Sequence, residues 1–129
     1  MTIGMATSLR TTRMQALVTA AGAGAKFKFY DGTRPATGAA IGAHTLLATL
    51  VGGSTIGTVT SGVLDFDEAS FTQIAANHVT GTPTWCRLTT SADAFVADFS
   101  IPSDISFSGT IVNGVTIPFN ASTLTEGNA

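Results

Sequence analysis

From Lys26 onward the apolar residues come in short runs, and each run stops at a turn. KFKFY (26–30) alternates with a period of two, the spacing of a half-buried strand. That alternation sets Phe27 and Phe29 on one face and Lys26, Lys28 and Tyr30 on the other. Asp31-Gly32 supplies a turn, and Pro35, with no N–H to donate, ends any ladder. Residues 36–45 are small and weakly patterned, which predicts a loop. TLLATLV (45–51) reads as a buried strand broken by Gly52-Gly53-Ser54, and residues 55–66 hold a second strand region, surest at GVLDF (62–66). TPTWCRLTT (82–90) puts Trp85 and Arg87 on one face and Cys86 and Leu88 on the other. A turn at 91–94 and a return along FVADFS (95–100) make 82–100 a predicted hairpin. The stretch from Ser103 predicts three further short strands, with breaks at 106–109 and at Asn113-Gly114, a hairpin dipeptide. Residues 67–81 fit either a short helix from Glu68 to Ala76 or a covering loop.

About eight short strands with glycine-rich turns predict an all-β sandwich or barrel rather than an α/β fold. An eight-stranded double-sheet jelly roll fits best. One helix precedes it. Residues 7–21 place Leu9, Met14, Leu17, Val18 and Ala21 on one stripe, with Thr7 or Ser8 as the cap and Gly22 and Gly24 as the stop. The predicted organisation is therefore an N-terminal arm with a short helix, 1–24, and a β-sandwich domain, 25–129. The arm is expected to order only on assembly. Its arginines, thin apolar stretch and Ala-Gly-Ala loosely imitate a secretory signal, but Gln15 and Thr19 interrupt the apolar part, so it reads as structural. No run approaches the ~18 apolar residues of a membrane span.

The chain has 129 residues, one domain's worth. Only 11% are charged, against about a quarter in ordinary domains, and mean hydropathy is +0.36. A neutral exterior rich in Thr, Ser, Ala and Gly suits a protein packed against others. The net charge of −2 gives no nucleic-acid footprint. The charge is uneven, however: Arg10, Arg13, Lys26, Lys28 and Arg34 all precede residue 35, and the remainder is acidic. That asymmetry can steer the N-terminal part onto an acidic neighbour.

The sequence predicts no catalytic, cofactor or metal site. His44 and His78 each stand alone, without ligands at metal spacing. Asp65, Asp67 and Glu68 lack the oxygen ligands of a calcium loop. No G-x-S-x-G elbow, dinucleotide fingerprint or P-loop is present. Cys86, the single cysteine, sits in an apolar run and reads as a small buried hydrophobe. Trp85 reads as core. These features point away from an enzyme.

Several segments recur in order: FKFYDGTRPATGA, TLLATLV, SGVLDF, GTPTWCRLTTSADAFVADFSI and DISFSGTIVNGVTIPFNASTLT. Across residues 25–125 the chain resembles small structural proteins of tailed bacteriophages encoded beside the major capsid protein. The closest type is the capsid cement, or decoration, protein with a jelly-roll fold. The resemblance implies a virion protein, made in the host bacterial cytoplasm, that binds the outside of the expanded capsid and bridges its subunits. Its partners would be the major capsid protein and further copies of itself as a dimer or trimer, with no cofactor, membrane or direct nucleic acid. On that reading Arg10, Arg13, Lys26, Lys28 and Arg34 are the candidate capsid contacts, and residues 31–39 leave the sheet toward a neighbour. Similar small β proteins also occur in tails and at head–tail joints. A β-sandwich module for glycans or host surfaces is the third reading.

Overall fold

The computed structural model describes residues 4–73, 79–105, 107, 109–112 and 123–125. Helix α1 spans Thr7–Ala21, as its spacing predicts. Its start differs from the expectation. Ala6 is the capping residue and makes no side-chain cap; the Thr11 and Thr12 hydroxyls instead donate back to the carbonyls of Thr7 and Ser8. Gly22 (φ +70°) ends the helix, and its N–H donates to the Val18 carbonyl. Met14, Val18 and Ala21 are buried, whereas Leu9 is 49% exposed. The predicted stripe therefore holds only in the second half of the helix.

The strands are β1 (Lys26–Tyr30), β2 (Leu46–Val51), β3 (Gly57–Thr60), β4 (Val63–Phe66), β5 (Thr72–Gln73), β6 (Trp85–Thr89), β7 (Phe95–Ser100) and β8 (Thr123–Thr125). They form a five-stranded sheet, β5-β2-β1-β6-β7, and a three-stranded sheet, β3-β4-β8. The strand pairings are antiparallel. β5 has only two residues, so seven strands of three residues or more stand among the described residues, where eight were predicted. The shortfall has local causes. Of the two readings of residues 67–81, the helix from Glu68 does not form: Glu68–Ser70 makes one 3₁₀ turn and Thr72–Gln73 is extended. Residues 103–105, expected to begin a strand, turn back so that the Asp104 and Ile105 N–H groups reach the Ser100 carbonyl. The hairpin expected at Asn113-Gly114 lies outside the described residues. Within the larger sheet, β6, β1, β2 and β5 lie in the 4-1-2-3 order of a Greek key, with the β3–β4 hairpin as an excursion into the other sheet.

β1 is central. Phe27 opposes Leu50 and Leu88, and Phe29 opposes Ala48 and Cys86. These six residues are buried in one cluster with Leu64 and Phe66 of the second sheet. The Phe27 ring meets Phe66 edge-on at 5.3 Å and Phe71 at 5.3 Å. Burial of each large apolar side chain contributes on the order of 2 kcal/mol. α1 packs against β3 and β4 of one sheet and β7 of the other. Across the expected boundary at residue 24, Met14, Val18 and Ala21 join the same cluster as both sheets. In the single chain the helix is thus docked, contrary to the expectation that it waits for assembly. The β3–β4 turn helps hold it: the Gly62 N–H donates to Thr11 Oγ1 at 2.9 Å.

Two substitutions test this packing. A Cβ on Gly57 would sit 2.2 Å from the Asp65 carbonyl oxygen across the ladder, so Gly57→Ala should cost about 1–3 kcal/mol in urea unfolding. Thr89 is 2% exposed, and its Oγ1 finds no hydrogen-bond partner among the described residues. Replacing it by the similarly shaped valine removes a buried unpaired hydroxyl. Thr89→Val should therefore stabilise the protein by about 1–2 kcal/mol; an unchanged or lower unfolding midpoint would contradict this.

Candidate functional site

The outer face of the five-stranded sheet carries the residues that alternate with the core. The register sets Lys26 opposite Thr89, Lys28 opposite Arg87, and Tyr30 opposite Trp85. On the far side of β6, Arg87 opposes Asp98. This face is not bare. The segment 31–45 leaves β1 and returns to β2 as a strap beside it. Its two ends are tied together: the Thr45 N–H donates to Asp31 Oδ1 at 3.0 Å, and the Asp31 N–H donates to the Thr45 carbonyl at 3.4 Å. The Asp31 carbonyl accepts from Trp85 Nε1 at 3.1 Å and from His44 Nδ1 at 3.0 Å. A carbonyl can only accept, so His44 carries its hydrogen on Nδ1. The Thr84 hydroxyl donates to the Gly32 carbonyl.

Trp85 is fully buried here, stacked on Tyr30 at 4.6 Å with 16° between the rings, with His44 edge-on at 5.4 Å. Its core reading is therefore right in burial but not in place: it lies on the outer face of the sheet, away from the Phe27 cluster. Cys86, on the opposite face, is buried as expected, and burial pushes its thiol well above the ordinary range.

The middle of the strap is held by charge. Arg87 makes two bonds to Asp98, Nε to Oδ1 at 2.7 Å and Nη2 to Oδ2 at 2.9 Å, and Nη2 also donates to the Ala39 carbonyl at 2.8 Å. Asp98 Oδ2 accepts the Gly38 N–H at 3.0 Å. The Asp98 side chain has no exposure and that of Arg87 is 11% exposed. The guanidinium lies 5.6 Å from the Trp85 ring and 5.1 Å from that of Phe95. Burial pushes the Asp98 carboxyl up. The Arg87 and Gly38 hydrogen bonds and the charges of Arg87 and Arg34 outweigh it and hold the group below the usual carboxylate range. The bond to Asp98 raises Arg87 further.

The five basic residues singled out in the sequence do not form one patch. Arg10 and Arg13 ride on α1, on the core side of the sheet. Arg10 lies over Gly62 and donates to Thr7 Oγ1 at 3.1 Å, and Arg13 Nη1 reaches Met5 Sδ at 2.9 Å. Lys26 and Lys28 are on the outer face, and both reach Asp93 Oδ1, at 3.0 and 2.8 Å. Their hydrogen bonds, that of Lys28 foremost, hold Asp93 below its ordinary range. Arg34 lies in the strap, 3.5 Å from Thr37 Oγ1. Sequence reasoning missed Arg87, Asp98 and Asp93 as the groups that organise this face. His78 lies outside the described residues. Among the described residues no three His, Cys, Asp or Glu side chains are grouped to hold a metal ion, and no helix is long and apolar enough to cross a membrane. No protein-family model, curated protein or solved structure matches this chain.

What the arrangement offers chemically is a presented surface. Of residues 32–43 only Arg34 is charged, and none is buried. A loop displayed on a rigid sheet is a common form of binding element. Its electrostatic support has a defined pH dependence. Asp98 has a lowered folded pKa, so its contribution is complete above the ordinary aspartate range and is lost as pH falls through the lowered value. Asp98→Asn should cost about 2–3 kcal/mol at pH 7. It should also flatten the acid limb of the plot of melting temperature against pH; an acid limb identical to that of the unaltered protein would remove Asp98 from the account.

Proposed function

We propose that the chain is a structural component of a tailed-phage particle that binds the outside of the capsid and reinforces it by bridging capsid subunits. The sequence resemblance across residues 25–125 suggests it. The structural observation that carries it is the strap, a nearly uncharged contact surface braced on a five-stranded sheet. A neutral surface avoids stripping water from many charges when it is covered. Many identical weak contacts on a shell then add up through multivalency. The major capsid protein is the partner, together with further copies of this chain. With this reading goes the finer description of the fold as an eight-stranded jelly roll. A jelly roll contains two Greek keys, and the larger sheet contributes one in its strand order.

Among the five basic residues, Lys26, Lys28 and Arg34 share the face that carries the strap, and these are the ones we assign to partner contact. Exposed ion pairs are worth little, so Lys26 and Lys28 can exchange Asp93 for an acidic group on a partner at small cost. A glycan platform is poorly served, because the single tryptophan has no exposed surface. A tail or head–tail joint subunit would use the same surface at lower copy number.

Quantitative gel densitometry of purified particles decides between shell and tail. A ratio to the major shell protein near one-to-one, or a simple fraction of it, is expected. A ratio of a few percent would move the chain to the tail or the joint and end the reinforcement mechanism.

A further inference from the structure

Residues 32–43 are exposed or half-buried throughout, while Tyr30 and Trp85 on the sheet beside them are almost completely covered. The strap buries little of its own surface. Between its tied ends, the hydrogen bonds found among the described residues from the strap to the chain beneath it are the Thr84 hydroxyl to the Gly32 carbonyl at its margin and, at its middle, the Gly38 N–H to Asp98 and the Arg87 guanidinium to the Ala39 carbonyl. The Ala39 N–H turns inward to the Ala36 carbonyl. A ring edge of Phe95 lies 3.3 Å from where a Cβ on Gly38 would stand, so the strap touches the sheet there through glycine and backbone. Gly32 (φ +79°) and Gly42 (φ +67°) flank the segment in the left-handed region. Segments with few buried apolar contacts open at free energies well below that of the whole fold.

We propose that Arg87 and Asp98 are a latch, and that the strap between Gly32 and Gly42 lifts from the sheet as a local unit when the latch opens, leaving both sheets folded. This does not rest on the virion reading. The geometry requires the latch to be cooperative. The same Asp98 oxygen accepts from both Arg87 Nη2 and Gly38, and the same Arg87 nitrogen donates to both Asp98 and Ala39. Losing the carboxylate charge therefore weakens all of the mid-strap contacts together. The charged and titratable groups around Asp98 are Arg87 from β6, Tyr30 from β1, Arg34 from the strap and Cys86 behind the sheet. Of these, Asp98 is the one whose charge is lost on acidification.

Residue-resolved amide exchange of the intact chain tests the proposal. At neutral pH the Gly38 and Ala39 amides should exchange at least about tenfold faster than the ladder amides of β1 and β6. In Asp98→Asn they should speed up by at least about tenfold again, with the β1 and β6 amides remaining the slower set and Trp85 more open to acrylamide quenching. Equal protection of strap and ladder, or strap exchange unmoved by Asp98→Asn, would overturn the latch. If Asp98→Asn does not fold, acid titration of the unaltered protein gives the same answer through the ratio of strap to ladder exchange, in which the intrinsic pH dependence cancels. That ratio should rise before the ladder opens. Simultaneous loss of protection in both would overturn the proposal.

Discussion

β1 has a strand on each edge and covering groups on each face, and the alternation of its five residues decides which side chains go where. The core face places Phe27 and Phe29 between Leu50 and Ala48 on one side and Leu88 and Cys86 on the other. A slip of one residue would send both phenylalanines outward and two lysines into the apolar cluster. Desolvating two ammonium groups would cost far more than the cluster returns. The register of β1 is therefore fixed by burial, and β2 and β6 take theirs from it. The second sheet and the helix follow, because Phe66, Met14 and Val18 can be buried only against the surface that β1 and its neighbours create.

The same register builds the outer face. With Phe29 opposite Cys86, Lys28 must stand opposite Arg87, and the return of β7 must bring Asp98 beside that guanidinium. The buried pair is a poor source of net stability compared with an apolar pair of the same volume. Its value is directional. A planar guanidinium held by two bonds has donors left at fixed angles, and one of them meets the Ala39 carbonyl. The position of a segment that contributes almost nothing to the core is thus set by a charge pair, and that pair is placed by core packing one residue away in each strand.

Much of this was legible in the sequence. The bounds of α1, β1 and β7 follow from spacing and from Gly22, Asp31-Gly32 and the turn at 91–94. The faces of β1 and β6 follow from period two. The Arg87–Asp98 pair was also within reach: a hairpin centred on that turn sets residue 87 opposite residue 98, and opposite charges directly across a ladder attract. Other features were not legible for physical reasons. Leu9 matches the stripe but lies on the half of the helix without cover, which only tertiary placement reveals. Residues 103–105 read as the opening of a strand, yet the Ser100 carbonyl accepts the Asp104 and Ile105 N–H groups, the Asp104 carboxylate accepts that of Ser100, and the chain turns. The burial of Trp85 on the outer face depends on the path of the neighbouring strap, and residues 36–43 have no period from which a path could be read.

The disposition of charge bears on how such a molecule can hold a partner. Arg87 is committed to Asp98. Lys26 and Lys28 together share one carboxylate, which leaves about one positive charge over at that end of the face. Arg10 lies away from this face, over Gly62 of the β3–β4 turn. Long-range attraction to an acidic surface is then weak per copy, and it is screened beyond about 8 Å at physiological ionic strength. On the capsid reading, affinity must come from shape and from the backbone groups of the strap, at modest strength for a single site. Repetition on a symmetric shell suits a contact of that kind, since each added site acts at high effective concentration. A contact that depends on shape also requires the strap to keep one conformation, because every alternative conformation would subtract its ordering entropy from an already small binding free energy. The charge pair under the strap removes those alternatives before any partner arrives.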